Sequence, residues 1–149
     1  MEIQTRLFGT IEIDSDRVVQ FTEPMAGFPA LRRFVVLDPD PGSPFKWLQS
    51  VDRADVCFLI ADPRAFFPTY EVGPVLGRLA DLRMDDPSQA IVAVILTAGK
   101  ELTKTTANLL APVVFNALQG LARQVILEGT GHPVRAPIFE EAFAACAAG

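Results

Sequence analysis

The chain has 149 residues, of which 50% are hydrophobic and 21% are charged. A chain of this size typically buries about 70% of the surface that it exposes when unfolded, so we expect one domain with a full hydrophobic core. The net charge of −5 would repel a phosphate backbone, which argues against direct nucleic-acid binding. No secretion signal and no membrane-spanning run of apolar residues is present, and we therefore expect a soluble cytoplasmic protein without membrane contact.

Alternating apolar and polar residues predict three strands at the start of the chain. Two of them lie on either side of Gly9, and the third is predicted at residues 17–21, after a turn at residues 14–16. The short turns between them favour an antiparallel meander.

Four further strands are predicted before residue 100, and they cover residues 31–37, 45–51, 56–61 and 90–97. The last of these is apolar at both odd and even positions, which is typical of a strand buried on both faces. Residues 62–70 are too apolar for a solvent loop, and we expect them to pack over an open end of the sheet. The spacing of apolar residues from Val75 to Leu82 predicts a short amphipathic helix.

Residues 108–128 allow two interpretations. A helical stripe is formed by residues spaced by four, four, three and four, namely Leu110, Val114, Leu118, Leu121 and Val125. The β-branched triplets at 113–115 and 125–127 instead favour two strands and a turn. The alanine-rich tail at residues 139–149, which follows a domain at residues 1–138, is predicted either to form a short helix or to fray.

The residues that could carry chemistry do not form a recognisable reactive site. His132 is a lone histidine in a turn, and the paired aspartates lie in turns where they need no acid or base role. Cys57 and Cys146 are too far apart in sequence for a CxxC motif. Arg32 and Arg33 are adjacent, but neighbouring strand residues point to opposite faces, which favours a solvated strand end over an anion site. We expect no catalytic residues, no metal and no cofactor.

Several motifs together resemble the flagellar assembly factor FliW family. They are PFKWLQS at 44–50, Asp62-Pro63 with Tyr70 downstream, NLLAP at 108–112, and QVIL at 124–127. The resemblance spans roughly residues 3–138 and implies a mainly β fold, an antiparallel β-barrel-like single domain with one or two short helices. It also favours strand-turn-strand for residues 113–128. The chain departs from the family at PMAGFP, residues 24–29, where family members usually show Gly-x-Pro-Gly-Phe-Glu.

The resemblance implies a non-enzymatic role in which the protein binds flagellin and the RNA-binding regulator CsrA in turn. Release from exported flagellin would free it to antagonise CsrA repression of flagellin mRNA translation. An acidic surface suits such a role, because CsrA must be basic enough to hold RNA. Two other classes are a protein-binding or chaperone-like module with another partner and a small-ligand-binding barrel. An RNA-binding barrel is disfavoured by the acidic charge.

The polar members of the family motifs are our candidate partner contacts, with an aromatic residue as anchor. The candidate residues are Gln49, Ser50, Asp62, Tyr70 and Asn108. For the polar ones, the alternative interpretation is that they satisfy backbone groups at strand ends.

Overall fold

The structure is a computed structural model that describes residues 1–73 and 79–139. Its strands are β1 Glu2–Thr5, β2 Gly9–Glu12, β3 Val19–Phe21, β4 Arg33–Leu37, β5 Phe45–Ser50, β6 Cys57–Ala61, β7 Ile91–Thr97, β8 Thr106–Ala107, β9 Val113–Asn116, β10 Leu121–Gln124 and β11 Ala136–Pro137. In the described ranges, 3-10 helices of one turn lie at Ser15–Arg17, Pro63–Ala65, Ala80–Leu82, Pro87–Gln89 and Leu102–Lys104. The mainly β fold predicted from the sequence is confirmed.

Seven strands close into a barrel. Their order is β7, β6, β5, β4, β3, β10, β9, and β9 pairs back onto β7 through the register Ile91 to Phe115. All neighbours are antiparallel except β3 and β10, which run parallel. The strands β8 and β11 extend the sheet beyond β7, and β1 and β2 form a separate hairpin. Closure removes free strand edges from the barrel itself.

Two apolar cores lie on the two faces of the barrel sheet. The inner core takes buried side chains from all seven barrel strands, namely Val19, Phe21, Phe34, Leu48, Ile60, Ala93, Val113, Phe115 and Ala122. The outer core includes Tyr70, Leu82, Leu109 and Leu127. Strand β7 serves both, because Ala93 faces the inner core and Val94 the outer one. The prediction of a strand buried on both faces is confirmed for the middle of β7, while its terminal residues are exposed.

The two ends of the barrel differ. At one end, Met25, Leu31 and Val56 are buried in the inner core, so the segments 22–31 and 51–56 plug it. At the other end β4, β6 and β9 terminate and β3, β5, β7 and β10 begin, and we call this end the mouth. The sequence suggested that the connection at 62–70 packs over an open end of the sheet, and four of its residues, Asp62, Pro63, Arg64 and Tyr70, do line a cavity at the mouth. Its aromatic rings pack against the outer core beside that end, and they do not close the barrel interior.

The predicted meander is wrong in its third strand. Strand β3 pairs with β4 and β10 and not with β2, because its buried side chains Val19 and Phe21 are needed inside the barrel. The turn at Ser15–Arg17, capped by Asp14, redirects the chain between the two sheets. Local alternation predicts a strand but does not select its partner.

Strand-turn-strand is confirmed for residues 113–128, although the second strand is Leu121–Gln124 and the triplet 125–127 follows it. Gly120 occupies the turn with a φ of +64°, a backbone conformation that favours glycine. Of the helix predicted at 75–82, residues 75–78 lie outside the described residues, and Ala80–Leu82 form a single 3-10 turn.

The tail predicted at 139–149 lies outside the described residues except for Phe139. That ring packs near Phe45 and Phe66, with centroid separations of 6.5 and 5.9 Å. The domain boundary at 138 therefore stays a prediction. Within the described parts of the chain, no helix is long and apolar enough to cross a membrane.

Candidate protein-binding site

Gln49 is fully buried and holds the turn that follows β5. Its Nε2 lies 3.0 to 3.3 Å from four carbonyl oxygens, those of Ser50, Arg53, Ala54 and Val56. Two amide hydrogens are thus shared among four acceptors, and Oε1 accepts no hydrogen bond from the described residues. This amide is the centre of a ring of backbone carbonyls, which fixes the path of residues 50–56.

Ser50 completes the same turn from the other side of the strand. It is also fully buried, and its Oγ accepts hydrogen bonds from the backbone N–H groups of Asp52 and Arg53 at 3.2 and 3.0 Å. The N–H of Arg6 donates to the carbonyl of Ala54 at 2.9 Å, which ties the β1–β2 hairpin to this turn. Gln49 and Ser50 therefore satisfy backbone groups at a strand end, the alternative that the sequence left open.

Asp62, Tyr70 and Asn108 lie away from this turn. Asp62 is exposed and caps the turn at Pro63–Ala65, its Oδ1 accepting from the N–H of Arg64 at 2.9 Å. The hydroxyl of the buried Tyr70 donates to the carbonyl of Leu109 at 2.7 Å. Asn108 Oδ1 accepts from the N–H groups of residues 110 and 111. Tyr70 thus joins the 62–70 connection to the NLLAP loop.

The five predicted contact residues do not form one surface. Gln49 and Ser50 lie at the plugged end, whereas Asp62 and Tyr70 line a cavity at the mouth. Gln49, Ser50 and Tyr70 are buried, so any effect that they have on a partner acts through the segments they position. Direct partner contact by the five residues stays a prediction.

Removing the hydroxyl of Tyr70 should change how stability depends on pH. Burial raises the pKa of Tyr70 to about 12, while an unfolded tyrosine titrates near pH 10. The folded protein therefore retains a proton that the unfolded chain loses, and the stabilisation, complete below pH 10, is lost as pH rises from 10 to 12. The wild type should lose about 2 to 3 kcal/mol of unfolding free energy over this pH range through the ionisation of Tyr70. Tyr70→Phe should be less stable than the wild type at pH 8, by about 1 kcal/mol.

Urea denaturation at pH 8, 10 and 11.5 tests this prediction. The gap between the two proteins should close or reverse at the highest pH. Burial also raises the pKa of Cys57 to about 11, but this thiol is present in both proteins and its contribution cancels. A constant gap across the pH range would contradict the role assigned to the phenol.

Other candidate chemical groups are engaged within the chain. The ring of His132 packs against that of Tyr70 in a tilted arrangement, with centroids 4.9 Å apart and an angle of 52° between the ring planes. Arg32 donates to the carbonyl of Thr22 at 3.0 Å, and Arg33 pairs with Asp52. The described residues contain no group of three or more His, Cys, Asp or Glu placed to hold a metal ion.

The mouth holds a cavity of about 1200 Å³. Its apolar lining includes side chains of the inner core, the outer-core residue Ala61 and the start of β7, namely Val19, Val36, Ile60, Ala61, Ile91, Val92, Ala93 and Phe115. Its charged lining consists of Asp16, Asp38, Asp62 and Glu71 together with Arg17, Lys46 and Arg64. The sequence did not predict this site, because its residues come from six strands and several loops that only barrel closure brings together.

The described residues thus form a closed β-barrel of mainly antiparallel strands with one plugged end and one charged end. Comparison with known proteins gives its family. The family model described as FliW protein matches residues 2–138. The flagellar assembly factor FliW of Thermoanaerobacter pseudethanolicus is 38% identical over 95% of each chain. That of Desulfitobacterium hafniense is 38% identical over 95% of this chain and 93% of its own.

A solved structure agrees with these sequence matches. The crystal structure of a flagellar assembly factor FliW superposes with a TM-score of 0.85 at 34% identity, covering 93% of this chain and 96% of the other. The chain belongs to the FliW family of flagellar assembly factors. The family resemblance inferred from the sequence motifs is confirmed.

Proposed function

We propose that this protein is a non-enzymatic partner switch of the cytoplasm that binds flagellin and CsrA in turn. In this role it antagonises CsrA repression of flagellin mRNA translation when flagellin has been exported. The observation that carries the proposal is membership of the FliW family over residues 2–138, with relatives of nearly the same length that are named flagellar assembly factors.

The charge of the chain supports a basic partner. The formal net charge is −5, and a regulator that holds RNA must present basic side chains to phosphates. Opposite charges speed the encounter of two proteins and disfavour partners of like charge. The same acidic balance disfavours direct nucleic-acid binding by this chain.

A partner switch requires that the flagellin complex and the CsrA complex be thermodynamically linked. Occupancy by flagellin must lower the affinity for CsrA, and by reciprocity CsrA must lower the affinity for flagellin by the same factor. A barrel packed around two apolar cores achieves this most simply when both partners cover overlapping surface, since no conformational change is then needed.

The proposal is tested with purified components. Isothermal titration of this protein with CsrA and with flagellin should give saturable binding with a fixed stoichiometry in each case. Addition of CsrA to the preformed flagellin complex should require a higher CsrA concentration for half-saturation. A reporter RNA held by CsrA should be released when this protein is added and retained when flagellin is added with it. Absence of binding to either protein would refute the proposal, because a switch between two partners requires that both bind.

A further inference from the structure

The mouth of the barrel contains a cavity whose bottom, which we call the apolar floor, is formed by side chains of the inner core. Each of the seven barrel strands has one end here, and the cavity of about 1200 Å³ reaches the inner core at Val36, Ile60, Ala93 and Phe115. At the plugged end, by contrast, the core is covered by residues 22–31 and 51–56. The mouth is thus where an apolar group from outside can reach the barrel core.

Large apolar side chains border this cavity and face solvent. Ile91 at the start of β7 is 55% exposed, and Leu118 in the turn between β9 and β10 is 79% exposed. The cavity lining includes Ile91 and the neighbours of Leu118 in its turn, Ala117 and Gly120. Exposed apolar residues beside a cavity rimmed by polar groups are typical of protein-interaction sites.

The charge around the mouth is strongly acidic. Within the described residues, the cavity lining and the loops 14–18, 38–44 and 85–90 at this end carry eight carboxylates: Asp14, Asp16, Asp38, Asp40, Asp62, Glu71, Asp85 and Asp86. The same described set carries three cations, Arg17, Lys46 and Arg64. Lys46 pairs with Asp38 at 2.6 Å, which leaves the excess of negative charge on the other loops.

We propose that the mouth is the docking site for a basic protein surface that inserts an apolar side chain into the cavity. This inference rests on the proposed function, and of the two partners named there it assigns the mouth to the basic RNA-binding regulator. The acidic loops attract and orient the partner, and the apolar floor supplies the contact that holds it.

Charge reversal at the mouth tests whether its acidic side chains attract the partner. The double variant Asp16→Lys with Glu71→Lys should bind purified CsrA about tenfold more weakly and with a smaller salt dependence, since mouth charges set both attraction and screening. Both side chains line the cavity and are exposed. The matched control is Glu101→Lys with Glu128→Lys, exposed residues beyond the opposite ends of β7 and β10. The control makes the same change in net charge and should alter affinity by less than about threefold.

A second pair of variants tests whether apolar contact at the mouth holds the partner. Ile91→Ser should weaken CsrA binding about tenfold, equivalent to about 1.4 kcal/mol, without changing the salt dependence. Its control is Leu102→Ser, which removes an apolar residue that is more exposed than Ile91, 72% against 55%, from the loop at the far end of β7. All four variants are first checked by circular dichroism and thermal melting to confirm that they fold.

The outcomes separate this inference from the proposed function. Wild-type binding to CsrA that survives in both mouth variants would overturn the mouth assignment and leave the partner switch intact. Equal weakening by mouth and control charge reversals would also overturn it, because net charge alone would then explain the effect. Failure of the wild type to bind CsrA at all would overturn the proposed function and this inference with it.

Discussion

Replacement of Phe34 by alanine is expected to lower the free energy of unfolding by about 3 to 5 kcal/mol. Phe34 is fully buried in the inner core, and its ring packs against Phe21 and Phe58 with centroids 5.1 and 6.3 Å apart. The change removes a large apolar side chain and leaves a cavity that the closed barrel cannot fill by collapse, because its strands are fixed by hydrogen bonds on both sides.

Urea denaturation followed by tryptophan fluorescence measures this loss through the only tryptophan, Trp47. Leu118→Ala is the control, since Leu118 is 79% exposed and its truncation should change stability by less than about 0.5 kcal/mol. Equal effects of the two substitutions would show that Phe34 does not belong to a packed core and would contradict the described barrel interior.

Gln49→Leu is expected to cost about 3 kcal/mol of unfolding free energy, although leucine has a similar size and greater hydrophobicity. The amide Nε2 donates among four backbone carbonyls of the 50–56 segment. Without it, Ser50 and Val56 keep buried carbonyls that lose this side-chain donor, and the turn that plugs the barrel is no longer pinned. The native Oε1 already lacks a partner among the described residues, so losing it should cost little.

The matched control for Gln49 is Gln20→Leu, because Gln20 is an exposed residue of strand β3. The control should leave the melting temperature within about 2 °C of the wild type, whereas Gln49→Leu should lower it by about 10 °C. Partner affinity measured well below the melting temperature should be little changed in Gln49→Leu. A large loss of affinity with an unchanged melting temperature would instead support the contact role first predicted for this residue.

Strand positions followed from local sequence because they depend on side-chain alternation and on turn residues. The β-branched run at residues 90–97 and the turn signals around residues 38–44 placed β7, β4 and β5 within a few residues. Residues 113–128 were harder, since helical spacing and β-branched triplets conflicted. There the family motifs decided for two strands, and Gly120 in the left-handed region shows why the turn between them forms.

The functional surface was less predictable than the fold. Gln49, Ser50 and Asn108 stand out in the sequence because they are polar residues in apolar motifs, yet each satisfies backbone groups of its own chain. Sequence cannot distinguish a polar residue that binds a partner from one that binds a nearby turn, because both uses require the same hydrogen-bonding groups. Exposure of apolar residues, as at Ile91 and Leu118, is the signal that only coordinates reveal.

The sequence by itself determined the class of this protein: an acidic, mainly β domain with the FliW motifs and no recognisable catalytic or metal-binding pattern. It also determined most strands, since alternation and turn chemistry are local. Only the tertiary structure decided that β3 pairs with β10, that one barrel end is plugged and that the other is an open acidic mouth. These features depend on barrel closure, which joins residues far apart in the chain, and local patterns carry no information about which distant strands meet.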